Sequence, residues 1–103
     1  MAFADNLQNL PAVDGVQAIT LKDAAGNTVA TIENKPGQAG SLRVYAALAD
    51  KFGAITPQAA AEGLEIYAEH TADAKANPGK HPNIDRLIQA IDAGLTFSVE
   101  RVA

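Results

Sequence analysis

Two loops of the chain hold the residue types that could do chemistry together. The first reads Lys35-Pro-Gly37-Gln-Ala-Gly40 and runs into Ser41 and Arg43; the second reads Asn77-Pro-Gly-Lys80-His81-Pro82 and runs into Arg86. Each loop leads into a stretch with helical periodicity. Cations at the start of a helix, next to glycines that let a ligand approach the backbone, form an anion site, because the first N–H groups of a helix have no partner and its dipole favours negative charge. The expected binding set is Lys35, Gly37, Gly40, Ser41, Arg43, Lys80, His81 and Arg86. His81 adds a second possibility. An imidazole with an ordinary pKa near ~6.5 can serve as general acid or base at neutral pH, and here it would stand beside Lys80 and Arg86.

Other chemistries find little support. The chain has no cysteine, so thiolate metal sites and thiol nucleophiles are absent. Ser41 and Ser98 are its serines, and neither sits in a Gly-x-Ser-x-Gly elbow. The Gly37-x-x-Gly40-Ser41 loop follows a strand and opens a helix, but it lacks the spacing and Gly-Lys pair of a nucleotide loop. His70 and His81 share no metal-ligand spacing, and no metal and no cofactor are expected. Glu62, Glu65, Glu69 and Asp73 recur at steps of three and four, which reads as the solvated face of one helix. His70 reads as a boundary residue of that helix.

The elements that must position the two loops follow from periodicity. Residues 4–10 form a short helix or turn that Pro11 ends. Val16 to Lys22 alternates, with Ile19 and Leu21 facing one side, and Asp23-Ala-Ala-Gly26-Asn27 turns the chain into a second strand, Thr28 to Glu33. Val29 and Ile32 have opposite parity, which predicts a bulge or a partly buried second face. Ser41 is the expected N-cap of a helix ending at Gly53. Thr56-Pro57 opens the next, expected to run to about Ala76 with Ala60, Gly63, Leu64, Tyr67, Thr71 and Ala74 on its apolar face. Asn83 is the expected cap of a last helix, with Ile84, Leu87, Ile88 and Ile91 inward and Gly94 as its stop. Leu95 to Arg101 alternates as a terminal strand.

That order defines an α+β fold in one domain, residues 1–103. Counting reversals, the last strand runs antiparallel to the first. The expected sheet has three antiparallel strands in order 2-1-3, one face covered by three helices, plus a short N-terminal helix. The helices after the two loops then begin at the same end of the sheet, which turns the loops into one basic pole. The expected core is Ile19, Leu21, Leu42, Leu48, Leu64, Ile88, Phe97 and Val99.

Composition narrows the partners. The 103 residues carry a net charge of −4, and the five aromatics are scattered singly, so neither a phosphate-binding footprint nor a base-stacking platform is readable. No nucleic acid is expected. The N-terminus has no basic and apolar leader, and the longest apolar run, Val44 to Ala49, is far short of the roughly 20 residues of a membrane span. A cytoplasmic protein with no membrane contact is expected.

Ile32-Glu-Asn-Lys-Pro-Gly37, Gly40-Ser-Leu42 and Ala76-Asn-Pro-Gly-Lys-His-Pro-Asn-Ile-Asp85 resemble a family of small bacterial proteins catalogued as a domain of unknown function. The resemblance covers nearly the whole chain and implies a bacterial cytoplasmic protein of this length, with no activity attached. Read from the residues, the chain is a binding or regulatory domain that recognises an anionic group of a small molecule or protein partner. The alternatives are a small enzyme using His81 at the same pole and a homodimeric assembly protein.

Overall fold

The computed structural model describes residues 2–11, 13 and 15–103. β1 (Ala18–Lys22) buries Ile19 and Leu21 and turns Ala18, Thr20 and Lys22 to the other face, the alternation of a strand with one apolar side. Asp23 sets the following turn. Its Oδ1 accepts the N–H groups of Ala25 and Asn27, and Gly26 takes a φ of 87°. β2 (Thr28–Glu33) returns antiparallel. Its pairing steps from Leu21↔Ala30 to Lys22↔Thr28, so Val29 bulges out and stays exposed while Ile32 is buried. This resolves the opposite parity of the two residues. β3 (Ser98–Val102) pairs antiparallel with β1 on its other side, giving the order β2-β1-β3.

Among the described residues five helices accompany the sheet: α1 (Phe3–Gln8), α2 (Ala39–Phe52), α3 (Pro57–Tyr67), α4 (Glu69–Ala76) and α5 (Pro82–Ala93). Thr56 caps α3 by accepting the Ala59 N–H at 3.0 Å, and Pro57 occupies the first position, where no N–H is needed. Gly53 and Gly94 end α2 and α5 in the left-handed conformation. The helix expected to run unbroken to Ala76 breaks at Ala68, whose φ is 52°. Tertiary bonds hold the break. Thr71 Oγ1 donates to the Leu64 carbonyl at 2.6 Å, and Glu69 accepts the Phe3 N–H at 2.8 Å, tying the start of α1 to the start of α4.

Two caps also differ from expectation. α2 begins at Ala39, so Ser41 lies inside its first turn, and Gln38 precedes the helix with its Oε1 turned back to the Glu33 N–H. α5 begins at Pro82, whose fixed φ suits the first turn, so Asn83 is helical and its Oδ1 accepts from Arg86 instead.

The core lies between sheet and helices. Ile19, Leu21, Leu42, Leu48 and Phe97 are buried, and Leu64, Ile88 and Val99 pack against them half-buried. Ile55, joined to Phe97 by a short antiparallel bridge, and Tyr45 also belong to it. The buried face of α5 is Ile84, Leu87 and Ala90, while Ile91 turns outward. At Leu87 the packing is a close helix crossing at Gly63. A Cβ there would lie 2.7 Å from Leu87 Cδ1 and 2.9 Å from Leu48 Cδ1, so the absent side chain is what lets α3 seat against α2 and α5.

Candidate functional site

α3 packs against both α2 and α5, and side-chain bonds that reach from α2 to α5 create the site. Tyr45, buried on α2, donates its hydroxyl to the Asn83 carbonyl in the first turn of α5, and receives a bond from Arg86 Nη1 at 3.2 Å. Burial pushes the Tyr45 phenol up to about 12 against the opposing Arg86 guanidinium, so it stays a donor. Tyr67, the last residue of α3, reaches α2 and donates to Ser41 Oγ at 2.7 Å. Burial likewise lifts this phenol well above the usual range.

Between these ties lies a cavity of about 390 Å³ lined by Phe3, Gly37, Gly40, Ser41, Tyr67, His70, Lys80, His81, Pro82, Asn83 and Ile84. Phe3 stacks on Tyr67 with ring centroids 5.0 Å apart, His70 meets Phe3 edge-on at 5.1 Å, and the His70 and His81 rings lie 5.7 Å apart. One wall is therefore aromatic. The others are the opening turns of α2 and α5. Neither helix has a side-chain cap. Among the described residues, the N–H groups of Gly40 and Ser41 on α2 and of His81 and Asn83 on α5 have no backbone or side-chain acceptor.

Asp73 on α4 organises the cationic side. Its Oδ2 lies 2.6 Å from His81 Nε2 and 3.0 Å from Lys80 Nζ. The hydrogen bond from His81, reinforced by Lys80, holds its carboxyl down at about 2. Asp73 itself does not line the cavity; it stands behind the imidazole and the ammonium that do. Asp85 accepts the Gly79 N–H at 2.8 Å and shapes the same loop.

Of the residues expected at the pole, Gly37, Gly40, Ser41, Lys80 and His81 line this one cavity. Lys35 pairs with Glu33 at 3.0 Å outside it. Arg43 donates to the carbonyls of Leu10 and Pro11 at 2.5 and 3.1 Å and holds the segment after α1. Arg86 is committed to Tyr45 and Asn83, and fronts a separate groove of about 920 Å³ beside Asp23, Val29, Leu95 and Phe97. These three cations act on protein groups because carbonyls, a phenol and a carboxylate lie within their reach. The acidic stripe is also dispersed. Glu62 pairs with Lys51, Glu69 holds α1, and Asp73 holds the second loop, because the break at Ala68 splits their helix. Phe3, Tyr67, His70 and Asp73 are additions that sequence reading did not assign to the site. The breaker loop at residues 77–79, which folds Lys80 and His81 back onto α4, was the signal for Asp73.

Among the described residues no group of three His, Asp or Glu side chains is placed to hold a metal ion. No helix there is long and apolar enough to cross a membrane.

Fold and cleft together define a small α+β domain with one aromatic, doubly helix-fronted cavity. The chain belongs to the family described as uncharacterised proteins conserved in bacteria (DUF2322), whose pattern matches residues 3–101. Neither a curated protein nor a solved structure matches it.

Proposed function

We propose that the protein is a small binding or regulatory domain of the bacterial cytoplasm whose cleft receives the anionic group of a small molecule. One observation carries this reading: two helices open into the same cavity without side-chain caps, leaving four N–H groups of lining residues without an acceptor. Donors at helix N-termini are satisfied by a cap, by water or by a ligand. An anion gains both the hydrogen bonds and the helix dipoles, and Lys80 lines the cavity with its ammonium shared with Asp73. The aromatic wall of Phe3, Tyr67 and His70 suits the uncharged remainder of such a ligand.

Titration with inorganic phosphate, followed by amide chemical shifts, tests the reading. Residues 37–41 and 79–84 should respond together with one affinity. Lys80→Ala should weaken the response, and added salt should screen it. A response from one loop alone, or from neither, overturns the composite site.

A further inference from the structure

The cavity also contains a base. His81 lines the cleft with its ring 5.7 Å from that of His70, and Asp73 Oδ2 lies 2.6 Å from its Nε2. Asp73 is ionised throughout the neutral range and can only accept, so Nε2 carries the ring proton. A neutral imidazole protonated there keeps its lone pair on Nδ1, and Nδ1 has no hydrogen-bond partner among the described residues. A carboxylate that fixes the tautomer, a free nitrogen on the other edge of the ring and a bounded cavity are the parts of a general-base pair. On α2, Gly40 and Ser41 supply unpartnered N–H donors in the same cavity, the complement of an oxyanion. Ser41 Oγ is engaged by Tyr67, and no hydrogen bond joins it to His81, so water is the nucleophile this arrangement calls for.

We propose that Asp73 and His81 form a general-base pair that hydrolyses a carboxylic ester of a small anionic molecule held in the cleft. The anionic class of the substrate rests on the binding reading, with its anionic group on the His81 and Asn83 N–H donors so that those of Gly40 and Ser41 remain for the carbonyl oxygen; the base pair stands on its own geometry. Nδ1 of His81 takes a proton from water as the water oxygen bonds to the ester carbonyl carbon. The carbonyl π pair moves to oxygen, facing the Gly40 and Ser41 N–H groups. The pair then returns, the bond from carbon to the alcohol oxygen breaks, and the leaving alkoxide takes the proton from Nδ1. One water is consumed, and an acid and an alcohol are formed. Asp73 stays ionised and keeps the Nε2 proton, which makes it a positioning residue for the imidazolium that forms.

The experiment uses the full chain with two probes, neutral 4-nitrophenyl acetate and anionic 4-nitrophenyl hemisuccinate. Hydrolysis above the buffer rate should favour the anionic ester through a lower KM. His81→Ala and His81→Gln should each lose at least about 100-fold in kcat, the lower range for a general base, with circular dichroism confirming that one of them folds. Asp73→Asn should lower kcat with little change in KM and displace the rising limb of the pH profile, and Asp73→Glu should restore part of both. The groups placed against the ring are Asp73 and His70 on α4 and Lys80, which shares Asp73, while Asp85 in the same loop is taken by the Gly79 N–H. No turnover above buffer, a folded His81 variant with full activity, or an Asp73→Asn profile that matches the wild type would each overturn the pair. The phosphate titration is read separately, so loss of catalysis with intact phosphate shifts removes this inference and leaves the binding site standing.

Discussion

Asp73 concentrates more of the site on one side chain than any other residue. Its carboxyl lies at about 2, below its ordinary 3.8, because His81 and Lys80 both favour the charged form. A depressed folded value means that the stabilisation is complete above the unfolded value and is lost as pH falls through the folded one. Unfolding by urea across the acid range should therefore show wild-type stability falling between about pH 4 and pH 2. Asp73→Asn should be less stable at neutral pH and should lack that part of the acid slope. Equal slopes in the two proteins would show that the Asp73 tie is not maintained in solution. Residue types in the second loop were legible from Lys80-His81 alone. Their anchor was not, because a carboxylate eight positions earlier on an expected helix looks like solvated surface until the chain turns back.

Between α3 and α4 a single residue decides the shape of the cleft. Ala68 has a φ of 52° and a ψ of −116°, a sparsely populated conformation that costs a residue with a Cβ roughly 1–3 kcal/mol. An unbroken helix would carry α4, and with it His70 and Asp73, away from α5. The bend is maintained by the Thr71–Leu64 and Glu69–Phe3 bonds. Ala68→Gly should stabilise the protein by up to about 1 kcal/mol, the relieved strain being partly offset by the greater freedom of glycine in the unfolded chain. The midpoint of chemical denaturation measures it. A loss of about 1 kcal/mol, the ordinary cost of glycine inside a helix, would place Ala68 in a continuous helix. Where local chemistry was decisive, as at Thr56-Pro57, Gly53 and Gly94, the element boundaries matched expectation. At Ser41 and Asn83 it was not decisive, because a neighbouring residue began the helix first.

Charge is distributed over the molecule so that few cations are left to act alone. Lys22, Lys35, Lys51, Lys80 and Arg101 each pair with a carboxylate, and Arg43 and Arg86 hold carbonyl and phenol oxygens. Binding to a phosphate backbone requires several cations free to displace counterions. With a net charge of −4 as well, the protein should give no retained complex with duplex or single-stranded nucleic acid in a mobility-shift assay at about 150 mM salt. A retained shift at that salt would mean that the local cations of the two loops outweigh the global charge.

The sequence by itself determined the three strands apart from the starts of β1 and β3, which lie at Ala18 and Ser98 where alternation predicted Val16 and Leu95, together with the turn at Gly26, the order β2-β1-β3 and the convergence of two helix starts. These depend on relations the chain carries locally: alternation in Ile19 and Leu21, helical spacing in Ile84 and Leu87, glycine and proline at the breaks, and the number of reversals between strands. The tertiary structure alone decided what the cleft contains. Phe3 reaches Tyr67 from the far end of the chain, Tyr67 finds Ser41 on another helix, and Asp73 meets His81 only after the chain reverses. Such pairs are selected by packing geometry, above all the close approach at Gly63 and the bend at Ala68. Neither periodicity nor spacing encodes which side chains face each other across elements once the core has closed.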